Sequence, residues 1–144
     1  MISTKGRYAL RLMVDIATYS NGYPVALKDS SSRQNISIKY LEQVVSLLVR
    51  GHLLISVRGN NGGYILARDA KSYNTFEILT VAEGSLAPIA CLQTDVNLCN
   101  RVNECSTIDF WKGYYDVIMN YTKGVSLQDL VEVEKNKNGT DYNI

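Results

Sequence analysis

The stretch from Asn35 to Tyr64 leaves the chain few architectures to choose from. Ser37 stands where an N-cap hydroxyl takes up an orphan backbone N–H, and Ile36 and Leu41 are spaced as a hydrophobic staple. Leu41, Val44, Val45 and Leu48 then recur at helical spacing and predict one buried stripe. The other face carries Lys39, Tyr40, Glu42, Gln43, Ser46 and Arg50. Two short apolar runs follow, Leu53–Val57 and Tyr64–Ala67, joined by Arg58-Gly-Asn-Asn-Gly-Gly63. Gly and Asn tolerate positive φ, so the join reads as the tip of a β-hairpin.

A polar-faced helix followed by a hairpin with an arginine at its base is the pattern of a winged helix-turn-helix. The upstream chain supplies the missing parts. Ala9, Leu12, Met13, Ile16 and Ala17 make a helical stripe within 3–19. Asn21-Gly-Tyr-Pro24 is a turn, and Val25–Leu27 is expected as a short strand pairing with the hairpin. Lys28 to Gln34 is the expected first helix of the motif, with Asn35 in the turn. Ser30, Ser31 and Ser32 occupy positions where an apolar face is wanted, so this helix is expected to be short or weakly packed. Lys5, Arg7 and Arg11 lie near the start of the first helix, where cations oppose the macrodipole; phosphate contact or a solvated face would account for them.

Downstream, Asn74-Thr-Phe-Glu77 has the form of a capping box, with Tyr73 and Ile78 as its staple, opening a helix over 75–83 that Gly84 ends. After Pro88, residues 89–106 show no period of either kind, and loops of this length tend to be functional. Thr107–Thr122 is strongly helical and carries two apolar seams. One is Ile108, Trp111, Tyr115 and Ile118; the other is Phe110, Tyr114, Val117 and Tyr121. Two seams exceed what one small domain needs to bury, so one is expected on the chain's own domain and the other on a second copy. The Ile108–Trp111–Tyr115–Ile118 seam is assigned to that dimer interface. Ser126 caps a last short helix over 127–133. The expected organisation is a winged helix-turn-helix region at 1–84, a cysteine loop at 85–106, a dimerisation helix and final short helix at 107–133, and a polar tail at 134–144. The fold class is mainly α with a small β wing and a long C-terminal dimerisation helix.

Charge separates the same regions. Up to Lys71 there are ten Lys/Arg against four Asp/Glu; after it, five against ten, so halves of about +6 and −5 sit within a chain of net charge +1. A basic half holding the helix-hairpin unit fits a nucleic-acid-binding end, and the acidic half a sensing or assembly end. No apolar run reaches the ~18 residues of a membrane span, and no secretory segment opens the chain, so a cytoplasmic protein is expected. No nucleophile elbow, phosphate-binding loop or histidine-assisted nucleophile is present, which argues against an enzyme. The single histidine, His52, sits between helix and hairpin and reads as a surface residue.

All three cysteines fall in the unstructured segment, as Cys91-x7-Cys99-x5-Cys105. Thiolates suit iron–sulfur clusters, zinc or copper(I), although zinc sites favour paired C-x2–4-C steps that are absent here. Buried inert thiols or a redox-active pair are the other readings. No fourth ligand belongs to the pattern; Asp95, Glu104, Thr107 and Asp109 are merely near in sequence.

The segments I-S-T-K-G-R-Y-A-L at 2–10, I-S-I-K-Y-L-E-Q-V-V at 36–45 and S-V-R-G-N-N-G-G-Y-I-L at 56–66 resemble the Rrf-two family of bacterial regulators, closely over 2–84 and more loosely through 126–131. The resemblance implies a homodimeric repressor of palindromic promoter DNA, with a recognition helix in the major groove and a wing arginine in the minor groove. On this sequence Lys39, Tyr40 and Glu42 fall on base-reading positions and Arg58 on the minor-groove arginine. Ser3, Lys5, Arg7, Lys28, Arg50 and Asn60 complete the candidate DNA contacts. It further implies an iron–sulfur cluster on Cys91, Cys99 and Cys105, [2Fe–2S] ahead of [4Fe–4S], sensing iron, redox state or nitric oxide. The positions that supply a fourth ligand in cluster-binding members are Ile108 and the neighbourhood of Arg7 here, neither of which can ligate. A cluster-free regulator of the same family, acting by thiol oxidation or through a cysteine-synthesis enzyme, is the alternative reading. A protein–protein interaction module is the remote one.

Overall fold

The structure is a computed structural model and describes residues 1–97 and 99–140. Its helices are α1 (Thr4–Tyr19), α2 (Leu27–Gln34), α3 (Ile38–Arg50), α4 (Thr75–Glu83), α5 (Ile108–Lys123) and α6 (Leu127–Thr140), and its strands are β1 (Leu54–Val57) and β2 (Gly63–Leu66). The hydrophobic stripe of α1 organises the core. Ala9, Leu12, Met13 and Ile16 meet Leu41, Val44, Val45 and Leu48 of α3, and the cluster extends through Leu53, Tyr73, Ile78, Leu127 and Val131. α1 thereby packs against α2, α3, α4 and α6. Full burial of side chains of this size contributes about 1.5–3 kcal/mol each before entropy is subtracted.

The wing is the expected hairpin. β1 and β2 pair antiparallel, with Leu54 opposite Leu66 and Val57 opposite Gly63. The expected third strand reduces to one bridge, in which Val25 and Tyr64 exchange two backbone hydrogen bonds of 2.9 Å. Gly63 makes this approach feasible, because a Cβ there would lie 2.2 Å from the Val25 carbonyl oxygen. Tyr73 closes the wing at its base. Its buried hydroxyl donates to the Leu53 carbonyl at 2.7 Å and accepts from the N–H groups of Ala67 and Arg68 at 2.9 and 3.1 Å.

α2 is short, as its serines imply, but it is not weakly packed. Ser30 is fully buried and donates to the Asp15 carboxylate of α1 at 2.6 Å. Asp15, itself 1% exposed, also receives a fork from Arg33 (Nε 2.9 Å, Nη2 2.8 Å) and the Gln34 amide at 3.1 Å. Burial alone would raise this carboxyl's pKa; the hydrogen bonds from Arg33, Ser30 and Gln34 outweigh it and hold the group below its ordinary value. Arg33 also lies 4.1 Å over the Tyr19 ring. The helix-turn-helix is therefore fixed to α1 by a buried charge where an apolar face is lacking.

The C-terminal part extends one expectation and adds detail to another. α6 continues to Thr140 rather than ending near Val133, so most of the expected polar tail is helical; residues 141–144 lie outside the described residues. Its buried Leu127 and Val131 seat it on α1, and Asn138 donates to the Tyr19 hydroxyl at 3.2 Å. In α5, Ile108 is buried within its own chain and Trp111, Tyr115 and Ile118 are half-buried, because this seam leans towards α4. The seam left open is the other one: Phe110, Tyr114, Val117 and Tyr121 are 64%, 50%, 69% and 72% exposed. The Ile108–Ile118 seam keeps Trp111, Tyr115 and Ile118 partly accessible beside it.

Replacing Asp15 by Asn should cost about 2–3 kcal/mol of stability at pH 7, at the lower end for a broken buried pair because Arg33 is partly solvated. The folded-state pKa of Asp15 is depressed, so its contribution is complete above the unfolded value near 3.8 and is lost as pH falls through the lower folded value. Urea melts at stepped pH should show the gap between the wild-type chain and D15N held at neutral pH and closing below about pH 4.

Candidate nucleic-acid interface and cysteine loop

α3 presents the polar face that its sequence implies. Ser37 caps it, its hydroxyl accepting the Tyr40 N–H at 3.2 Å. Lys39, Glu42, Gln43 and Ser46 are exposed on the side away from the core. Tyr40 is half-buried, with its ring edge-on to Tyr8 of α1 at 5.2 Å, so it stands at the rim of this face with restricted motion. Arg58 and Asn60 are exposed at the wing tip. Between the wing and the start of α2 lies an open cleft of about 770 Å³, lined by Tyr23, Pro24, Lys28, Asp29, Arg58 and Asn60. Lys28 and Arg58 thus share one cleft although 30 residues separate them. Arg50 is at the far end of α3, where its Nε reaches the Ser46 carbonyl at 3.5 Å and faces the negative end of the helix dipole.

The start of α1 is built differently from expectation. Arg11 is tied to the end of α2, donating to the side chain of Gln34 at 3.1 Å and to its backbone carbonyl, which explains it without phosphate. Lys5 and Arg7 remain exposed. Ser3 does not offer its hydroxyl freely. Glu83, the last residue of α4, accepts from the Ser3 N–H at 2.8 Å, the Ser3 hydroxyl at 2.7 Å and the Gly6 N–H at 3.1 Å. One carboxylate oxygen so caps a helix from another helix and places a negative charge at the positive end of the α1 dipole. It also sits beside the cations Lys5 and Arg7. Gly6 permits this, since a Cβ there would come within 2.3 Å of the Glu83 oxygen. No local signal links residues 80 positions apart, so sequence reading missed Glu83.

The cysteine loop begins directly after Glu83 and Gly84. Cys91, Cys99 and Cys105 are all free thiols, Cys91 half-buried and the others exposed. Partial burial and then the neighbouring thiols of Cys99 and Cys105 push Cys91 up. Cys105 is held below the ordinary thiol value, first by the Thr107 hydroxyl 3.5 Å from its sulfur, then by backbone N–H groups at the start of α5. As soft donors the three thiols fit an iron–sulfur cluster in ligand chemistry. Among the described residues no three His, Cys, Asp or Glu side chains are gathered as a metal site, so the three cysteines do not themselves form an assembled ligand set and no fourth ligand is identified. Glu104 is engaged by Arg101 at 3.8 Å and Thr107 by Cys105; His52 is exposed at φ 60° after α3.

The model of the Rrf-two family, Rrf2, described as an iron-dependent transcriptional regulator, matches residues 2–133. The chain belongs to the Rrf2 family. It is 36% identical over 130 residues to the HTH-type transcriptional regulator IscR of Yersinia pseudotuberculosis, covering 90% of this chain and 78% of that one. Its fold is similar to CymR, the global cysteine regulator of B. subtilis (TM-score 0.74, 30% identity, 92% and 97% of the two chains). It is equally similar to T. potens IscR (TM-score 0.74, 33% identity, 93% and 88%). As an Rrf2-family member the chain is a winged-helix, DNA-binding transcriptional regulator and not an enzyme. No helix among the described residues is long and apolar enough to cross a membrane.

Removing the shared cap should be measurable. Glu83→Ala leaves two N–H groups at the start of α1 without their acceptor and should cost about 1–2 kcal/mol. Gly6→Ala should displace the same carboxylate, so the double variant in a urea-melt cycle should fall well short of the sum of the two single losses.

Proposed function

We propose that the chain acts in the cytoplasm as a homodimeric repressor whose paired α3 helices read a palindromic promoter. The observation that carries this reading is the exposed polar face of α3, with the cleft that Lys28 and Arg58 share as its companion. Lys39, Tyr40 and Glu42 face base edges in the major groove, with Glu42 suited to accept from a cytosine amine, while Arg58 enters the flanking minor groove. Lys5, Arg7, Lys28, Arg50 and Asn60 contact the sugar-phosphate backbone and set register. Ser3 serves through the Glu83 cap. The open seam of Phe110, Tyr114, Val117 and Tyr121, together with the adjoining groove of about 620 Å³ where Trp111 and Ile118 meet Leu79 and Leu86, forms the interface with a second copy.

Cys91, Cys99 and Cys105 hold an iron–sulfur cluster, [2Fe–2S] in preference to [4Fe–4S], which when bound supplies a group whose presence depends on iron, oxidants or nitric oxide. The protein's own contribution is transmission. The loop runs from Glu83, which fixes the start of α1, to Ile108, which fixes the start of the dimer helix. Ordering the loop therefore acts on both ends of the half-site spacing, which must match DNA turns. A second reading is favoured by Cys105, an exposed thiol kept low by Thr107: direct thiol oxidation without a cluster. In that reading a partner enzyme of cysteine synthesis could share control of the same loop.

Protein purified without oxygen and reconstituted with iron and sulfide should show thiolate-to-iron charge-transfer absorption that is lost on replacing any of the three cysteines by Ala. A colourless product rejects the cluster and leaves the thiol reading. Arg58→Ala should weaken binding to promoter DNA and flatten its salt dependence by about one phosphate equivalent per protomer. Val117→Glu with Tyr121→Glu should shift sedimentation from dimer to monomer and reduce DNA affinity together.

A further inference from the structure

We infer that Ile38 reads a thymine methyl group in the major groove. Ile38 is the first residue of α3 and stands 44% exposed, whereas the core positions of the same helix, Leu41, Val44, Val45 and Leu48, are at most 3% exposed. It takes no part in the hydrophobic core cluster. At about 100° per residue it lies one turn before Glu42 on the same ridge and next to Lys39, both exposed. This ridge is the border between the packed and the polar sides of α3. The side chain is held there by more than chance, because the Ser37 cap fixes the first turn. Being β-branched, it also has few rotamers.

The chemistry around it defines its ligand. Lys39, Glu42, Gln43 and Ser46 supply donors and acceptors for base edges and phosphates, but none offers an apolar surface. The C5 methyl of thymine is the one feature of the major groove that only such a surface can read, and the N-terminal residues of a recognition helix are those that reach base edges. An apolar side chain flanked by a lysine and within the basic half of the chain suits a polyanion whose groove carries methyl groups. The inference rests on α3 being the recognition helix and adds to that reading a base and a side chain.

The test uses the full chain and the duplex it selects from a random pool, with each thymine replaced in turn by uracil, which removes only the methyl. The wild-type chain should lose about fourfold in affinity at one thymine position per half-site, the worth of one buried methyl group. Ile38→Ala should bind the thymine duplex more weakly and bind thymine and uracil duplexes equally. Ile38→Val should keep the discrimination. The slope of affinity against salt should be unchanged in both variants, because no phosphate contact is removed. Equal thymine–uracil discrimination by the wild-type chain and Ile38→Ala, or no sensitive thymine at all, overturns this inference while leaving α3 as the reading helix. Failure to select any duplex overturns the DNA-reading assignment of α3 as well.

Discussion

A single buried carboxylate sets the geometry on which DNA reading depends. The first helix of the reading motif has eight residues, one of them buried, and that one is a serine. It has too little apolar surface to be placed by hydrophobic burial. Asp15 places it instead, through Ser30, Arg33 and Gln34 at once. Burial of a charge is costly unless its lone pairs are satisfied, and here four hydrogen bonds do so. Hydrogen bonds are directional where hydrophobic contact is not. A polar anchor therefore fixes the angle of α2 on α1 more sharply than a few methyl groups would, and the placement of α3 follows from it through the αL turn at Asn35.

The wing and the helices are linked in the same spirit. Tyr73 joins the entry of β1 to the exit of β2 through one hydroxyl, and the backbone exchange between Val25 and Tyr64 ties the wing to the segment preceding α2. α3 and the wing that carries Arg58 are thus joined to one packed unit with α1 at its centre. The acidic half adds α5 and the cysteine loop at the far side of α4. The charge split in the sequence corresponds to this division, with the basic half holding α1, α2, α3 and the wing and the acidic half holding α4, the cysteine loop and α5.

Much of this was legible in the chain. The α3 stripe, its Ser37 cap, the Gly-Asn hairpin tip and the Asn74–Glu77 box are local signals, each spanning fewer than ten residues, and they led to the right elements. What failed were judgements that depend on a distant partner. The serines of α2 looked like poor packing because their carboxylate lies half a helix pair away, on α1. Arg11 looked available to phosphate because Gln34 was not known to lie beside it. The two seams of α5 were recognised, but periodicity alone does not say which side α4 occupies. The polar composition after Val133 hid a helix whose stability comes from Leu127 and Val131 rather than from its exposed turns. Of the candidate site, spacing and resemblance singled out the exposed polar residues of α3, Arg58 on the wing and the three thiols as candidates; the Glu83 cap and the exposed Ile38 needed coordinates.

The Glu83 cap also says something about how the molecule is assembled. The groups it joins are 80 residues apart in sequence, so the first turn of α1 is completed by a contact whose loop-closure entropy is met only when α4 is in place. During synthesis the first helix emerges with its opening N–H groups open to water and gains its acceptor only after the wing and α4 exist. The start of α1, with Lys5 and Arg7 on it, is therefore set only once α4 is in place. In the finished chain those N–H groups are closed off by one distant carboxylate, so the opening of α1 and the end of α4 come loose or hold together.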